Sequence, residues 1–147
     1  DAAHTPGSKL NQKYSGTIGD VGCFSFYPSK IITCGEGGML TTENDEIANF
    51  AKSYQNRGRD MSANEEVYSY PGRNVRMTEI SALLGRIQLE NLDKYLENRR
   101  RIASIYISAL SDHDEMYLVV PKNLNQSSFW KFPIILNDKF NRDNILM

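Results

Sequence analysis

Lys30 stands at the end of the run Cys23-Phe24-Ser25-Phe26-Tyr27-Pro28-Ser29-Lys30 and just ahead of the glycine-rich stretch Gly35-Glu36-Gly37-Gly38. Most lysines are solvated point charges. One held between a core strand and a tight backbone segment can lose water, shift its pKa downward and become a nucleophilic amine. Three further features could work with it. Asp1, in Asp1-Ala2-Ala3-His4, offers a carboxylate beside the aromatic nitrogen base His4. Ser25 lies on the same strand-to-loop path, so its hydroxyl can reach the same pocket. Gly35, Gly37 and Gly38 permit close backbone approach or positive φ. Together they offer an amine to anchor an aldehyde, a carboxylate for a ring nitrogen, a hydroxyl for a phosphate and a tight backbone wall. A phosphate-bearing aldehyde cofactor needs all four. Each has a blander reading when taken alone: Asp1 and Ser25 as capping or surface residues, the glycines as turns. No nucleophile elbow is present, and the glycine spacing is not that of a dinucleotide or P-loop fingerprint.

The elements that must position these groups follow from periodicity. Residues 1–17 are polar and turn-rich, a loop with at most a short extended segment. Residues 21–27 predict a buried strand, and residues 38–42 a second short strand. Asn44 is placed to cap a helix that carries Asp45 and Glu46 in its first turn, with Ile47, Phe50, Ala51 and Tyr54 on one face and Gly58 as its stop. Residues 59–76 have no usable period and predict a long loop of the kind that often carries function. Thr78 opens the longest helical pattern, from Ile80 to Leu110, with a break at residues 88–92 where the apolar stripe changes phase. Arg99-Arg100-Arg101 predict a solvated helix face. Strands are expected at 116–120 and 129–136, with Pro121 as a stop between them. The final residues, 138–147, predict a turn into a further element, and both ends suggest a piece of a longer protein.

Strands alternating with helices predict an α/β first part, and two consecutive helices followed by strands an α+β second part. The boundary falls near residues 88–92, giving domains 1–90 and 91–147. The chain has 147 residues, of which 40% are hydrophobic and 24% charged, enough for a packed core. A net charge of −1 gives no electrostatic reason to expect nucleic acid or an anionic membrane as a partner. No apolar run approaches the ~20 residues of a membrane helix. Cys23 and Cys34 lack paired C-x-x-C spacing and are expected as reduced core thiols in a cytoplasmic protein. With only two histidines, far apart, no metal site is expected.

Three stretches in order carry a family resemblance: Asp1-Ala2-Ala3-His4, then Gly19-Asp20-Val21-Gly22-Cys23-Phe24-Ser25-Phe26-Tyr27-Pro28-Ser29-Lys30, then Gly35-Glu36-Gly37-Gly38-Met39. Further on, Arg73-Asn74-Val75-Arg76-Met77-Thr78-Glu79-Ile80 is similar to a Tyr-Asn-Tyr-Arg-Met-Ser-Glu-Ile stretch, with both tyrosines absent here. Ser127-Ser128-Phe129-Trp130-Lys131-Phe132-Pro133-Ile134 is similar to the start of a small-domain strand. In these the chain resembles the DegT/StrS-type sugar aminotransferases, pyridoxal 5'-phosphate (PLP) enzymes of the aspartate-aminotransferase fold. The resemblance implies an α/β fragment of that fold: the C-terminal part of the large α/β/α domain, then the start of a smaller α+β domain. Members are about twice this length or more, so an amino-terminal half is expected to be missing.

The resemblance also implies roles. Lys30 is the covalent anchor of PLP and the group that shuttles the substrate proton. Asp1 pairs with the pyridine nitrogen, His4 lies against the cofactor ring, and Ser25 donates to the phosphate. Asn74 and Arg76 sit on a loop that reaches a neighbouring subunit's site, which implies a homodimer with shared active sites. The implied reaction moves an amino group from an amino acid, expected to be glutamate, to a nucleotide-linked keto-6-deoxy sugar. Relatives that remove a hydroxyl instead carry histidine at the Lys30 position. Two alternatives remain open: an aminotransferase for a non-sugar cyclic ketone, and a non-catalytic or truncated relative acting as a binding or assembly subunit.

Overall fold

The computed structural model describes residues 1–139. Six short strands and three helices follow one another as β1 (Lys9–Leu10), β2 (Lys13–Tyr14), β3 (Gly22–Ser25), β4 (Gly38–Thr41), α1 (Asp45–Gln55), α2 (Glu79–Glu90), α3 (Leu92–Leu110), β5 (Met116–Leu118) and β6 (Ile134–Leu136). The strands pair β1 with β2, β3 with β4, and β5 with β6, each pair antiparallel. The polar amino-terminal segment thus contains a hairpin, turned by Asn11 and Gln12 at φ 49° and 68°. Asparagine tolerates this left-handed region better than most residues.

The expected helices form for the expected reasons. The Asn44 side chain accepts from the amides of Glu46 and Ile47, and Asp45 and Glu46 face the positive end of α1. Thr78 caps α2 by accepting from the Ser81 amide. The break expected at 88–92 is Asn91, which ends α2 and precedes α3 while its side chain donates to the Ile87 carbonyl at 2.9 Å.

Several expectations are corrected. The strand expected at 21–27 shortens to β3, and it is not buried: Cys23 is exposed and Phe24, Ser25 and Phe26 are half-buried. Only Cys34 of the two thiols lies in the core. The strand expected at 129–136 shortens to β6, because Phe129 adopts φ 45° and cannot continue an extended backbone. The loop at 59–76 has no helix or strand, yet two bridges, Asn56 to Asn74 and Arg59 to Tyr68, fold it back against the end of α1. The turn expected at the carboxyl end lies mostly outside the described residues.

The arginine run is the largest correction. Arg101 is exposed, but Arg99 and Arg100 are half-buried and reach back to the chain after β5. Arg99 Nη1 donates to the carbonyls of Phe129 (3.0 Å) and Trp130 (3.5 Å). Arg100 donates to the carbonyls of Ser127 (3.1 Å), Asn125 (3.0 Å) and Gly7 (3.4 Å). Irregular backbone has no ladder to satisfy its carbonyls, so a guanidinium fork does it instead. The core sits just beneath: Ile31, Ile32 and Leu96 are buried together, with Phe26, Leu92, Tyr95 and Trp130 packed around them. By contrast α2 has no buried residue, and Ile80 is 83% exposed.

Hydrogen bonds from a charged donor are worth about 1.5–3 kcal/mol. Arg100→Ala is therefore expected to lower stability by about that much, read as a fall in the urea midpoint at unchanged slope. Arg101→Ala serves as the control and should stay within roughly 0.5 kcal/mol.

Candidate functional site

Local backbone geometry accounts for where Lys30 sits. After β3 the chain turns, with the Lys30 amide donating to the Tyr27 carbonyl at 3.0 Å. It then returns so that the Cys34 amide meets the Phe26 carbonyl at 3.1 Å, while the Phe26 amide meets the Gly37 carbonyl at 2.9 Å. Thr33 Oγ1 closes the same loop, donating to Phe26 O (2.9 Å) and accepting from the Gly35 amide (3.0 Å). Gly35 holds φ 84°, a conformation that favours glycine. At Gly38 an added Cβ would lie 2.7 Å from the Phe24 carbonyl oxygen, so the backbone approach there needs glycine. Ile31, Ile32 and Cys34 are buried beneath the loop and leave Lys30 half-buried at its rim. Burial pushes the Cys34 thiol up, with the Glu36 carboxylate adding to the effect, so Cys34 is a packing residue and not a nucleophile.

The amino-terminal segment runs beside β3. The Ala2 amide donates to the Cys23 carbonyl at 2.8 Å, and Asp1 Oδ1 accepts from the Ala3 amide at 2.8 Å. Asp1 therefore precedes a residue bonded to β3, the strand that ends at Ser25, and Ser25 Oγ accepts a long 3.4 Å bond from the Tyr27 amide. Asn74 and Arg76 lie elsewhere, at the end of α1: Arg76 donates to Asn56 Oδ1, and Asn74 bridges Asn56 through the backbone. Among the described residues no hydrogen bond or ion pair joins either of them to Asp1, His4, Ser25 or Lys30.

What draws His4 and Lys30 together is a residue that the sequence reading placed only at the start of a strand. The Trp130 ring stacks on His4 with centroids 3.7 Å apart and planes at 18°. Lys30 Nζ lies 4.8 Å from the centre of the indole and Lys131 Nζ 4.5 Å. Trp130 Nε1 donates to the Ser29 carbonyl at 2.8 Å. The backbone behind it is stapled to the amino-terminal segment: Ser128 Oγ donates to the His4 carbonyl and the Ser128 amide to Ser8 Oγ, both at 2.9 Å. Ser128 is 2% exposed, so neither bond competes with water. The available signal was a lone tryptophan in an aromatic-dense, serine-led run, which by itself reads as ordinary core.

The electrostatics follow from that packing. Desolvation, chiefly, and then the Lys30 and Lys131 ammoniums hold His4 below its ordinary range. Both effects favour the neutral imidazole, although the ring itself is exposed. As a group, the donors fit a phosphorylated aldehyde: an amine, a carboxylate, a hydroxyl and a flat aromatic base arranged around one strand and the loop that follows it.

The sequence profile of the DegT/DnrJ/EryC1/StrS aminotransferase family matches residues 1–147. A GDP-perosamine synthase of Caulobacter vibrioides is 44% identical over 113 residues, covering 76% of this chain and 30% of that protein. The crystal structure of a DegT DnrJ EryC1 StrS aminotransferase from Brucella abortus superimposes with a TM-score of 0.84 at 30% identity, over 98% of this chain and 37% of that one. The E coli GDP-4-keto-6-deoxy-D-mannose-3-dehydratase with bound hydrated PLP superimposes with a TM-score of 0.82 at 28% identity, over 95% of this chain and 40% of that one. The chain thus spans roughly 30–40% of the length of the curated relatives it matches.

A His4 titration followed by NMR should give a midpoint below 6.5, and Lys131→Gln should raise it toward 6.5. The linkage sign follows. Well above pH 6.5 neither the folded nor the unfolded chain carries a proton on His4, and stability is unaffected. Below it the unfolded chain takes up the proton first, so stability falls as pH drops. A midpoint at or above 6.5 would contradict the site geometry.

Proposed function

The chain belongs to the DegT/DnrJ/EryC1/StrS aminotransferase family, and from that membership we propose that the whole protein is a PLP-dependent aminotransferase acting on a nucleotide-linked keto-6-deoxy sugar. The amino donor in this reading is an amino acid, glutamate by preference. The observation that carries the reading is the setting of Lys30. It is an amine at the rim of a glycine-tightened loop, sharing the Trp130 ring with the His4 imidazole, with no carboxylate bonded to it among the described residues. Similarity to a GDP-perosamine synthase supports a nucleotide-sugar acceptor.

PLP, when bound, supplies an electron sink for the substrate carbon that loses its proton. Lys30 Nζ would hold the cofactor and would carry the substrate proton as base and acid. The Asp1 carboxylate pairs with the pyridine nitrogen and keeps it protonated. The Ser25 hydroxyl donates to the phosphate, and the His4 ring lies against the cofactor. Asn74 and Arg76 serve the site of a neighbouring subunit, which makes the protein a homodimer with shared sites, located in the cytoplasm. Residues 1–90 complete a large cofactor-binding domain and residues 91–147 begin a smaller one.

The dehydratase among the similar structures raises hydroxyl removal as a second reading. Relatives of that kind carry histidine where this chain has Lys30, which favours amino transfer.

Borohydride treatment of the PLP-loaded full-length protein, followed by peptide mass mapping, tests the anchor. Pyridoxyl mass is expected on the Lys30 peptide and nowhere else. Lys30→Ala should lower the glutamate half-reaction at least 100-fold, and Asp1→Asn by about the same factor. Undiminished transamination by Lys30→Ala would sink the proposal.

A further inference from the structure

We infer that Trp130 is a positioning residue for both Lys30 and His4, a clamp that carries the Phe129–Lys131 segment onto the catalytic loop. The inference rests on the reading of Lys30 as the cofactor anchor, and it adds a residue to that site.

Three contacts of one side chain define the clamp. The indole face stacks on the His4 imidazole at 3.7 Å. The same ring attracts the Lys30 ammonium at 4.8 Å. Its Nε1–H donates to the carbonyl of Ser29, the residue immediately before Lys30. An aromatic face holds a cation by its quadrupole, with about 0.5–1 kcal/mol at an exposed site. That suits an amine that must be placed and yet remain free to react. A carboxylate at the same position would bind the ammonium more firmly and favour its protonated form. Among the described residues no hydrogen bond or ion pair ties Lys30 Nζ, so the indole is what orients it.

The clamp is itself held. Phe129 adopts φ 45°, a costly conformation for an aromatic residue, and it is this turn that breaks the extended backbone next to Trp130. Arg99 secures the turn through the carbonyls of Phe129 and Trp130. Ser128 secures it from the other side through His4 O and Ser8 Oγ. His4 is thus gripped twice by one short segment, by its carbonyl and by its ring. The second ammonium on the indole, from Lys131, adds to desolvation and to the Lys30 ammonium in lowering the His4 pKa. A neutral ring can stack on a flat cofactor without adding a third positive charge beside Lys30.

The test uses the full-length protein, the Trp130→Phe and Trp130→Ala variants, and two readouts. The first is the emission of Trp130 in cofactor-free protein, taken as the difference between parent and Trp130→Phe. A stacked imidazolium quenches indole, so this emission should fall on acidification with a midpoint below 6.5. His4→Gln should abolish the transition. The second readout is the rate at which added PLP becomes borohydride-trapped on the Lys30 peptide, with far-UV circular dichroism to show that each variant is folded. Trp130→Ala should slow trapping about 10-fold; Trp130→Phe, which keeps an aromatic face but loses the Ser29 bond, should fall between. Should Trp130→Ala not fold, the Phe variant and the emission titration decide the matter. A pH-independent emission, a transition that survives His4→Gln, or variants that trap PLP at the parental rate would each overturn the inference. Failure of the parent itself to trap PLP on Lys30 would refute the cofactor reading and the Lys30 role together; the emission titration then judges the His4 contact by itself.

Discussion

The segment from Ser127 to Trp130 is where this structure is tied together, because there five hydrogen bonds to side chains and carbonyls replace the backbone ladder that an irregular stretch lacks. Arg100 grips Ser127, Arg99 grips Phe129 and Trp130, and Ser128 is buried between His4 and Ser8. Each bond spans a large sequence separation, so the segment joins the chain's beginning to its end across α3. Charged donors are suited to the task. One guanidinium satisfies several carbonyls at once, and its planar fork leaves little freedom to lose. Without those bonds the Phe129 turn would relax toward extended backbone and carry the indole away from His4 and Lys30.

That arrangement determines the electrostatic character of the site. Two lysine amines and the His4 imidazole surround one indole, and no carboxylate is bonded to either lysine among the described residues. The Asp1 carboxylate, at the head of the segment that pairs with β3 through Ala2, accepts from the Ala3 amide. Positive charge thus gathers at the loop rim, with the Asp1 carboxylate set apart in the irregular amino-terminal segment. The glycine-tightened loop places these charges without crowding them.

The remaining surface has a different character. Both sides of α2 carry exposed apolar residues, among them Leu83, Leu84, Ile87 and Leu89, and Met39 and Leu40 of β4 are exposed as well. Exposed apolar residues in this number are a surface suited to packing against protein. A chain that spans roughly 30–40% of the length of its relatives leaves such faces open. The core that does close, around Ile31, Ile32 and Leu96, lies directly under the Lys30 loop, so the site is supported even where α2 is not.

Short-range chemistry was legible in the sequence. Asn44 and Thr78 could be read as caps because a side-chain oxygen reaches amides two or three residues on. The helices and the break at Asn91 followed from apolar spacing, and the Lys30 and glycine motifs sufficed to place the chain in its family. Long-range choices were not legible. An Arg-Arg-Arg run has the same composition whether it faces water or clasps a distant loop, and only the fold brought Arg99 and Arg100 to unsatisfied carbonyls. Cys23 was expected in a core because its neighbours are apolar, yet burial depends on what packs above a strand and not on the strand itself. Trp130 had no local signature for a site, since His4, Ser29 and Lys30 lie 100 or more residues earlier in the chain. The sequence by itself determined which groups could do chemistry; the tertiary structure decided which of them meet, because contacts of that separation depend on packing and not on spacing.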